Sequence, residues 1–164
     1  MSGYREASLS WLPIFRGDKP PPHAVQADKK LYVIRSRHKD DVLPGKWALH
    51  VGHIAHLPYD GVEIIVSTFE VLCDTGLYSG KSGYCWIPAE GGKIPPNVFQ
   101  GGVQKDGTPL FVARAKVNGE MCVGKALPTY QCAFLPWGGQ EHRETNKPVD
   151  ARSRQSLFRF CSNL

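Results

Sequence analysis

The chain carries one string twice. Leu31-Tyr32-Val33-Ile34-Arg35 returns as Leu110-Phe111-Val112-Ala113-Arg114, an offset of 110 − 31 = 79, and Pro44-Gly45-Lys46 returns as Val123-Gly124-Lys125, again 125 − 46 = 79. Further on, Leu57-Pro58-Tyr59-Asp60-Gly61-Val62-Glu63 corresponds to Leu135-Pro136-Trp137-Gly138-Gly139-Gln140-Glu141 at 141 − 63 = 78, and upstream Trp11-Leu12-Pro13 faces Trp86-Ile87-Pro88. A tandem duplication constrains the fold because two copies of one unit can complete each other's core and present two related surface sites. Each copy is only about 75–79 residues by these offsets, a size at which burial is marginal. The 164 residues are therefore expected to form one compact body of two fused repeats, 8–75 and 83–162. Two independent beads are disfavoured, since Cys73 to Cys85 offers glycine and serine but no long polar linker.

Local patterning points to strands. Val62 to Val71 is rich in β-branched residues, Leu31 to Ile34 is a short β-forming run closed by Arg35, and Leu110 to Ala115 repeats it. Seventeen glycines and thirteen prolines interrupt most windows long enough for a helix. Asp106-Gly107 before Leu110 signals a hairpin turn; the counterpart Ala27-Asp28-Lys29-Lys30 is shorter. From Glu141 to Cys161 the offset is twenty against ten from Glu63 to Cys73, so a polar insertion around Arg143 to Arg154 is read as an exposed loop. The fold class is all-β, with tandem antiparallel repeats.

Composition limits the remaining choices. With 41% hydrophobic and 21% charged residues the chain reads as folded and globular. No apolar run approaches the roughly eighteen residues of a membrane span, and Met1-Ser2-Gly3-Tyr4-Arg5-Glu6 lacks a secretory pattern. A cytoplasmic location is expected, with vesicle association or release without a signal peptide as routes to external sugars. Five cysteines, an odd number without C-x-x-C spacing, argue for reduced thiols, and Cys73 and Cys161, at corresponding ends of the two copies, read as buried small apolar groups.

The string Trp86-Ile87-Pro88, Gly92-Lys93-Ile94-Pro95-Pro96-Asn97, Gly101-Gly102, Asp106-Gly107-Thr108-Pro109-Leu110-Phe111-Val112-Ala113-Arg114-Ala115, Gly124-Lys125 and Gly138-Gly139-Gln140-Glu141-His142 closely resembles a repeat of the DM-nine family. These are invertebrate tandem-repeat proteins, some of them mannose-recognising lectins in innate immunity or parasite tissues. The resemblance runs from Trp11 to Cys161. The first copy lacks the Gly-Gly pair and has Val-Ile for Val-Ala, but keeps Arg35, Pro44, Gly45, Lys46, Gly61 and Glu63. The resemblance implies an all-β fold with copies related by a pseudo-twofold axis, commonly a homodimer. It also implies carbohydrate binding through an acidic or amide residue near the hairpin and the lysine after the Pro-Gly or Val-Gly turn.

Such residue types suit a sugar. Adjacent pyranose hydroxyls donate and accept at once, so a carboxylate beside an ammonium can clamp a vicinal pair by charge-assisted hydrogen bonds. Lys46 with Asp28, and Lys125 with Asp106, supply such pairs, although a repeated lysine can instead merely neutralise the neighbouring glutamate. Gln104, directly after Gly101-Gly102-Val103, stands at a family position that is often acidic, where an amide would bind more weakly. Glu63 and Glu141 follow the glycine turn in each copy and can orient the lysines, or stand as exposed turn carboxylates. Trp11, Trp86, Trp137 and Tyr59 read mainly as packing, with an aromatic platform under a sugar ring as the other use. Arg35 and Arg114 are expected to be structural, pairing with carboxylates of the other copy.

His50, His53 and His56 fall three apart, which in a strand alternates faces and disfavours a shared metal. No nucleophile with a base, and no pocketed carboxylate pair, recurs in both copies, so no enzyme activity is expected and no cofactor is implied. Net charge +5 and a pI near 9.0 keep a runner-up open: a basic β-scaffold for nucleic acid or anionic lipid, although no basic stripe interleaves with aromatics. The leading expectation is a non-enzymatic lectin for mannose-type glycans with up to two related sites, acting in innate immunity or in host–parasite or stress responses.

Overall fold

A computed structural model describes residues 9–74, 84–89, 94, 98–145 and 156–160. The fold is all-β. The first half contributes β1 (Leu9–Ile14), β2 (Gln26–Asp28), β3 (Leu31–His38), β4 (Asp41–Ala48), β5 (Ile54–Tyr59), β6 (Val62–Val66) and β7 (Phe69–Asp74). The second contributes β8 (Tyr84–Pro88), β9 (Gln100–Val103), β10 (Pro109–Val117), β11 (Glu120–Leu127), β12 (Cys132–Trp137), β13 (Gln140–Glu144) and β14 (Ser156–Phe160). Among the described residues the one helical element is a 3-10 turn, Pro128–Tyr130. The passage 75–83, the stretch 146–155 of the expected insertion, with Lys147, Arg152 and Arg154, and Cys161 lie outside the described residues.

Eight strands close on themselves in the order β4-β5-β6-β13-β12-β11-β10-β9 and back to β4. The duplicated strings take equivalent ladder positions. Val33 faces Lys46 and Ile34 faces Gly45 on β3–β4, while Val112 faces Lys125 and Ala113 faces Gly124 on β10–β11. Outside the ring, β7 joins β3 and carries β1; β14 joins β10 and carries β8. The halves meet in the ring at two narrow joints, Val62↔Gln140 and Val42↔Val103. Two single-residue ladders cannot by themselves hold the halves in register, so side chains must.

The outer ladders correct one alignment. Trp11 faces Leu72 and Trp86 faces Phe158, so Leu72 corresponds to Phe158 and Cys73 to Arg159 rather than to Cys161. The intervening insertion is then (158 − 72) − 78 = 8 residues, two fewer than the cysteine spacing suggested. Cys73 is buried.

The core is shared between the halves. Ile34, Leu43, Trp47, Leu57 and Val71 pack in one cluster with Leu110 and Leu127, and Leu31, Val33 and Leu72 pack in another with Val112 and Val123. Each such aliphatic side chain, fully buried, contributes roughly 1.5–3 kcal/mol. Neither half could bury this surface alone.

Candidate functional site

The duplicated glycines explain where the duplicated lysines go. A Cβ on Gly45 would collide with the His56 carbonyl, and one on Gly124 with the Phe134 carbonyl. Without side chains there, β5 and β12 lie tightly across β4 and β11. The next residue alternates to the other face, and Lys46 and Lys125 are carried inward to 8% and 7% exposure.

Each ammonium then crosses to the other half. Lys46 Nζ donates to the Pro136 carbonyl and lies 3.0 Å from Glu63 Oε1. Lys125 Nζ donates to the Pro58 carbonyl at 2.9 Å and lies 3.2 Å from Glu141 Oε2. Two tight turns complete the exchange. Asp60-Gly61 and Gly138-Gly139 all have positive φ, the conformation of a two-residue hairpin turn that glycine and aspartate tolerate. Gly139 N donates to Glu63 Oε2 at 2.7 Å and Gly61 N to Glu141 Oε1 at 3.3 Å, while Glu63 N bonds Gly139 O and Glu141 N bonds Gly61 O. Burial alone would raise the Glu63 carboxyl, but the Gly139 amide and the Lys46 ammonium outweigh it and hold Glu63 below the ordinary carboxylate range.

The surroundings of the two lysines differ. Beside Lys46 stand Cys122 and His56, the latter with Nδ1 at 3.7 Å from Glu63 Oε1. Burial lowers the His56 pKa, opposed by Glu63 and reinforced by Lys46, and burial pushes the Cys122 thiol up to about 11. Beside Lys125 stand the rings of Tyr59 and Phe134, with centroids 5.6 and 5.5 Å from Nζ. His50 and His53 lie in the β4–β5 turn and only His56 is on a strand. Among the described residues no group of three metal-ligating side chains assembles.

The hairpin residues lie apart from the lysines. Asp28, at the tip between β2 and β3, caps the Lys29 amide at 2.8 Å and lines a cleft of about 480 Å³ with Lys29, Lys30, His50, Glu120 and Met121. The cleft therefore runs between a turn of the first half and the β10–β11 turn of the second. Glu120 also accepts the Trp137 indole N–H at 3.0 Å. In the second half, Gln104 closes the β9–β10 turn through its backbone, and exposed Asp106 caps the Thr108 amide at 2.9 Å. That turn is tied to the first half, Lys105 N donating to Asp41 Oδ1 at 2.7 Å and Lys105 Nζ lying 3.3 Å from Asp40.

The two arginines are also resolved. Arg35 forms a two-pronged pair with Glu70 of its own half at 3.3 and 3.2 Å, correcting the expectation of a carboxylate from the other copy, and stacks 4.5 Å above Trp11. Arg114 does cross: it donates to Ala27 O at 2.6 Å and stacks 4.4 Å above Trp86, and burial lowers its pKa against the opposing charge of Asp28 of the other copy.

A family model described as the DM9 repeat matches residues 25–144, well over half of the chain. The chain belongs to the DM9 repeat family. No curated protein matches it. Among solved structures it is similar to the crystal structure of the nematode sperm cell motility protein MFP2B, with TM-score 0.66 and 16% identity over 94% of this chain. The match covers 45% of that protein, so this DM9 chain spans less than half of its length. At that identity the likeness speaks for the fold.

Sequence reasoning did not find Glu120, Lys30 or the Pro58 and Pro136 carbonyls. The prolines did carry a signal, the twice-repeated Leu-Pro; Glu120 carried none, since it joins Asp28 only through the closure of the ring.

Proposed function

We propose that this protein is a non-enzymatic carbohydrate-binding protein that takes mannose-type glycans in the cleft between Asp28 and Glu120. The observation that carries this reading is the balance of charge in that cleft: two ammonium groups, Lys29 and Lys30, against two carboxylates, Asp28 and Glu120. A net charge of zero with donors and acceptors interleaved fits a neutral polyol, whose hydroxyls do both, and is poorly suited to a polyanion. A volume of about 480 Å³ lies within the usual range for small-molecule sites. On this reading Lys46, Lys125, Glu63 and Glu141 act from within, holding two halves related by an approximate twofold so that the cleft keeps its width. The corresponding place around Gln104 and Asp106 is closed by the Lys105–Asp41 contact, so one working site per chain is proposed, and a homodimer would supply avidity.

Calorimetry with D-mannose and mannose-terminated glycans tests the proposal. Asp28→Asn and Glu120→Gln each remove a charged acceptor worth about 1.5–3 kcal/mol, and each should weaken binding at least about tenfold. Retention on mannose-agarose should change little with salt, whereas a polyanion would show steep dependence. Undiminished mannose binding by the double variant would reject the site.

A further inference from the structure

A second cleft, unlike the first, opens towards the other end of β3. It encloses about 550 Å³ and joins Trp11, Arg35, Arg37 and Glu70 of the first half to Phe99 and Gln100 of the second. We propose that it is a distinct site for a carboxylated sugar, a hexuronate unit of an acidic glycan.

Charge gives the first argument. Arg35 and Arg37 are two apart on one strand and so share a face. The Arg35 guanidinium is already matched by Glu70, as described. Arg37 is exposed, and among the described residues nothing pairs with it. The cleft thus carries one uncompensated guanidinium, whose planar fork suits a carboxylate. Glu70 adds an acceptor, the Gln100 amide adds the N–H left over from its bond to the Gly102 carbonyl at 3.0 Å, and Leu9, Val42 and the aromatic edges give an apolar flank for the C–H side of a pyranose.

Geometry argues against a nucleic acid here. Stacking a base needs an open ring face. Trp11 has Arg35 over it and packs against Phe99 at 6.0 Å and 30° between planes. With Glu70 matched to Arg35, the single free guanidinium of Arg37 suits one carboxylate and offers nothing to the successive phosphates of a nucleic acid.

The second half differs at the equivalent place. There Arg114 stacks on Trp86 and reaches across to Ala27 O, and the ladder sets Ser156 opposite Arg114 where Glu70 stands opposite Arg35. The Arg35–Glu70 wall of the first-half cleft is therefore a departure from the repeat.

Titration followed by two-dimensional NMR, with D-glucuronate and with D-glucose as the neutral isostere, decides the matter. The expected result is that glucuronate shifts the Trp11 indole and Arg35 Nε–H signals and binds at least about tenfold tighter than glucose, one charge-assisted contact's worth. Arg37→Gln should remove that preference while leaving the thermal midpoint unchanged. Asp28→Asn should leave glucuronate binding intact, so failure of the mannose site and of this one are separately visible. Equal affinity for the two sugars, an unaltered preference in Arg37→Gln, or displacement of glucuronate by a single-stranded oligonucleotide would overturn the proposal.

Discussion

Replacing Lys46 by methionine probes the joint between the halves directly. The side chain is nearly isosteric and its stem is already buried, so the change removes charge rather than volume. Two groups are then stranded: the Glu63 carboxylate, 8% exposed and 3.0 Å from the missing ammonium, and the Pro136 carbonyl. Removing one partner of a buried pair costs about 3–5 kcal/mol, against a total stability of about 5–15 kcal/mol for an ordinary protein. At about 2–4 °C per kcal/mol for a chain of this size, the melting temperature should fall by about 6–20 °C. Adding Glu63→Gln neutralises the stranded charge while keeping an acceptor for the Gly139 amide. The double variant should recover most of the loss, leaving roughly 1–3 kcal/mol for the orphaned carbonyl. Urea denaturation of the four proteins in this cycle gives the coupling energy. A loss below about 1 kcal/mol for Lys46→Met, the range of solvent-exposed pairs, or a double variant less stable than the single, would refute the reasoning.

Two other perturbations follow from the same joint. The folded pKa of His56 lies below its ordinary 6.5, so the unfolded chain binds the extra proton first and stability falls as pH drops from about 6.5 through the folded value. Glu63, held below its ordinary 4.5, contributes stability that is present above that value and is lost as pH falls further through its folded pKa. His56→Phe, the residue found at the corresponding Phe134, should abolish the first loss and spare the second, as read from urea midpoints at about pH 7.5, 5.5 and 3.5; an unchanged first step would assign it elsewhere. Gly124→Ala sets a methyl against the Phe134 carbonyl and should cost at least about 1–3 kcal/mol, whereas Gly107→Ala, with open space but φ +87°, should cost only the backbone strain, about 1–2 kcal/mol. Equal losses in thermal melts would show that close approach is not what Gly124 permits.

Much of the fold was legible because repetition and local chemistry agreed. The offsets of 79 and 78 gave the equivalent strands, and Asp60-Gly61 and Gly138-Gly139 marked the hairpins that the backbone forms. The pairing of Lys46 with Glu63 and of Lys125 with Glu141 was legible from the repeat, but the crossing of each ammonium to the other half was not. Each donates to a backbone carbonyl of the other half, and a carbonyl leaves no residue-type signature. Arg35 was misread for a related reason: its partner Glu70 is thirty-five residues away in sequence and becomes a neighbour only through the β3–β7 ladder. The alignment of Cys73 with Cys161 failed because an insertion precedes Cys161 in the second half, and only strand register can decide which residue there corresponds to Cys73.

The two halves agree inside and differ outside, and this bears on where ligands should be sought. Glycine, lysine and glutamate recur at fixed offsets because the joint requires both copies; either lysine without its counterpart would leave one hairpin turn unheld. The clefts lie where the copies diverge. The longer β9–β10 turn reaches Asp41 and closes its side. The shorter β2–β3 turn stops short, and Glu120, at Asp41's corresponding position by 120 − 41 = 79, bonds the Trp137 indole instead. Tyr59, which replaces that tryptophan in the first half, has no indole N–H to offer. A residue that repeats with the period of a duplication is thus a candidate for holding the copies together first. On the proposed readings recognition falls to residues such as Asp28, Glu120 and Arg37, whose surroundings the duplication did not preserve.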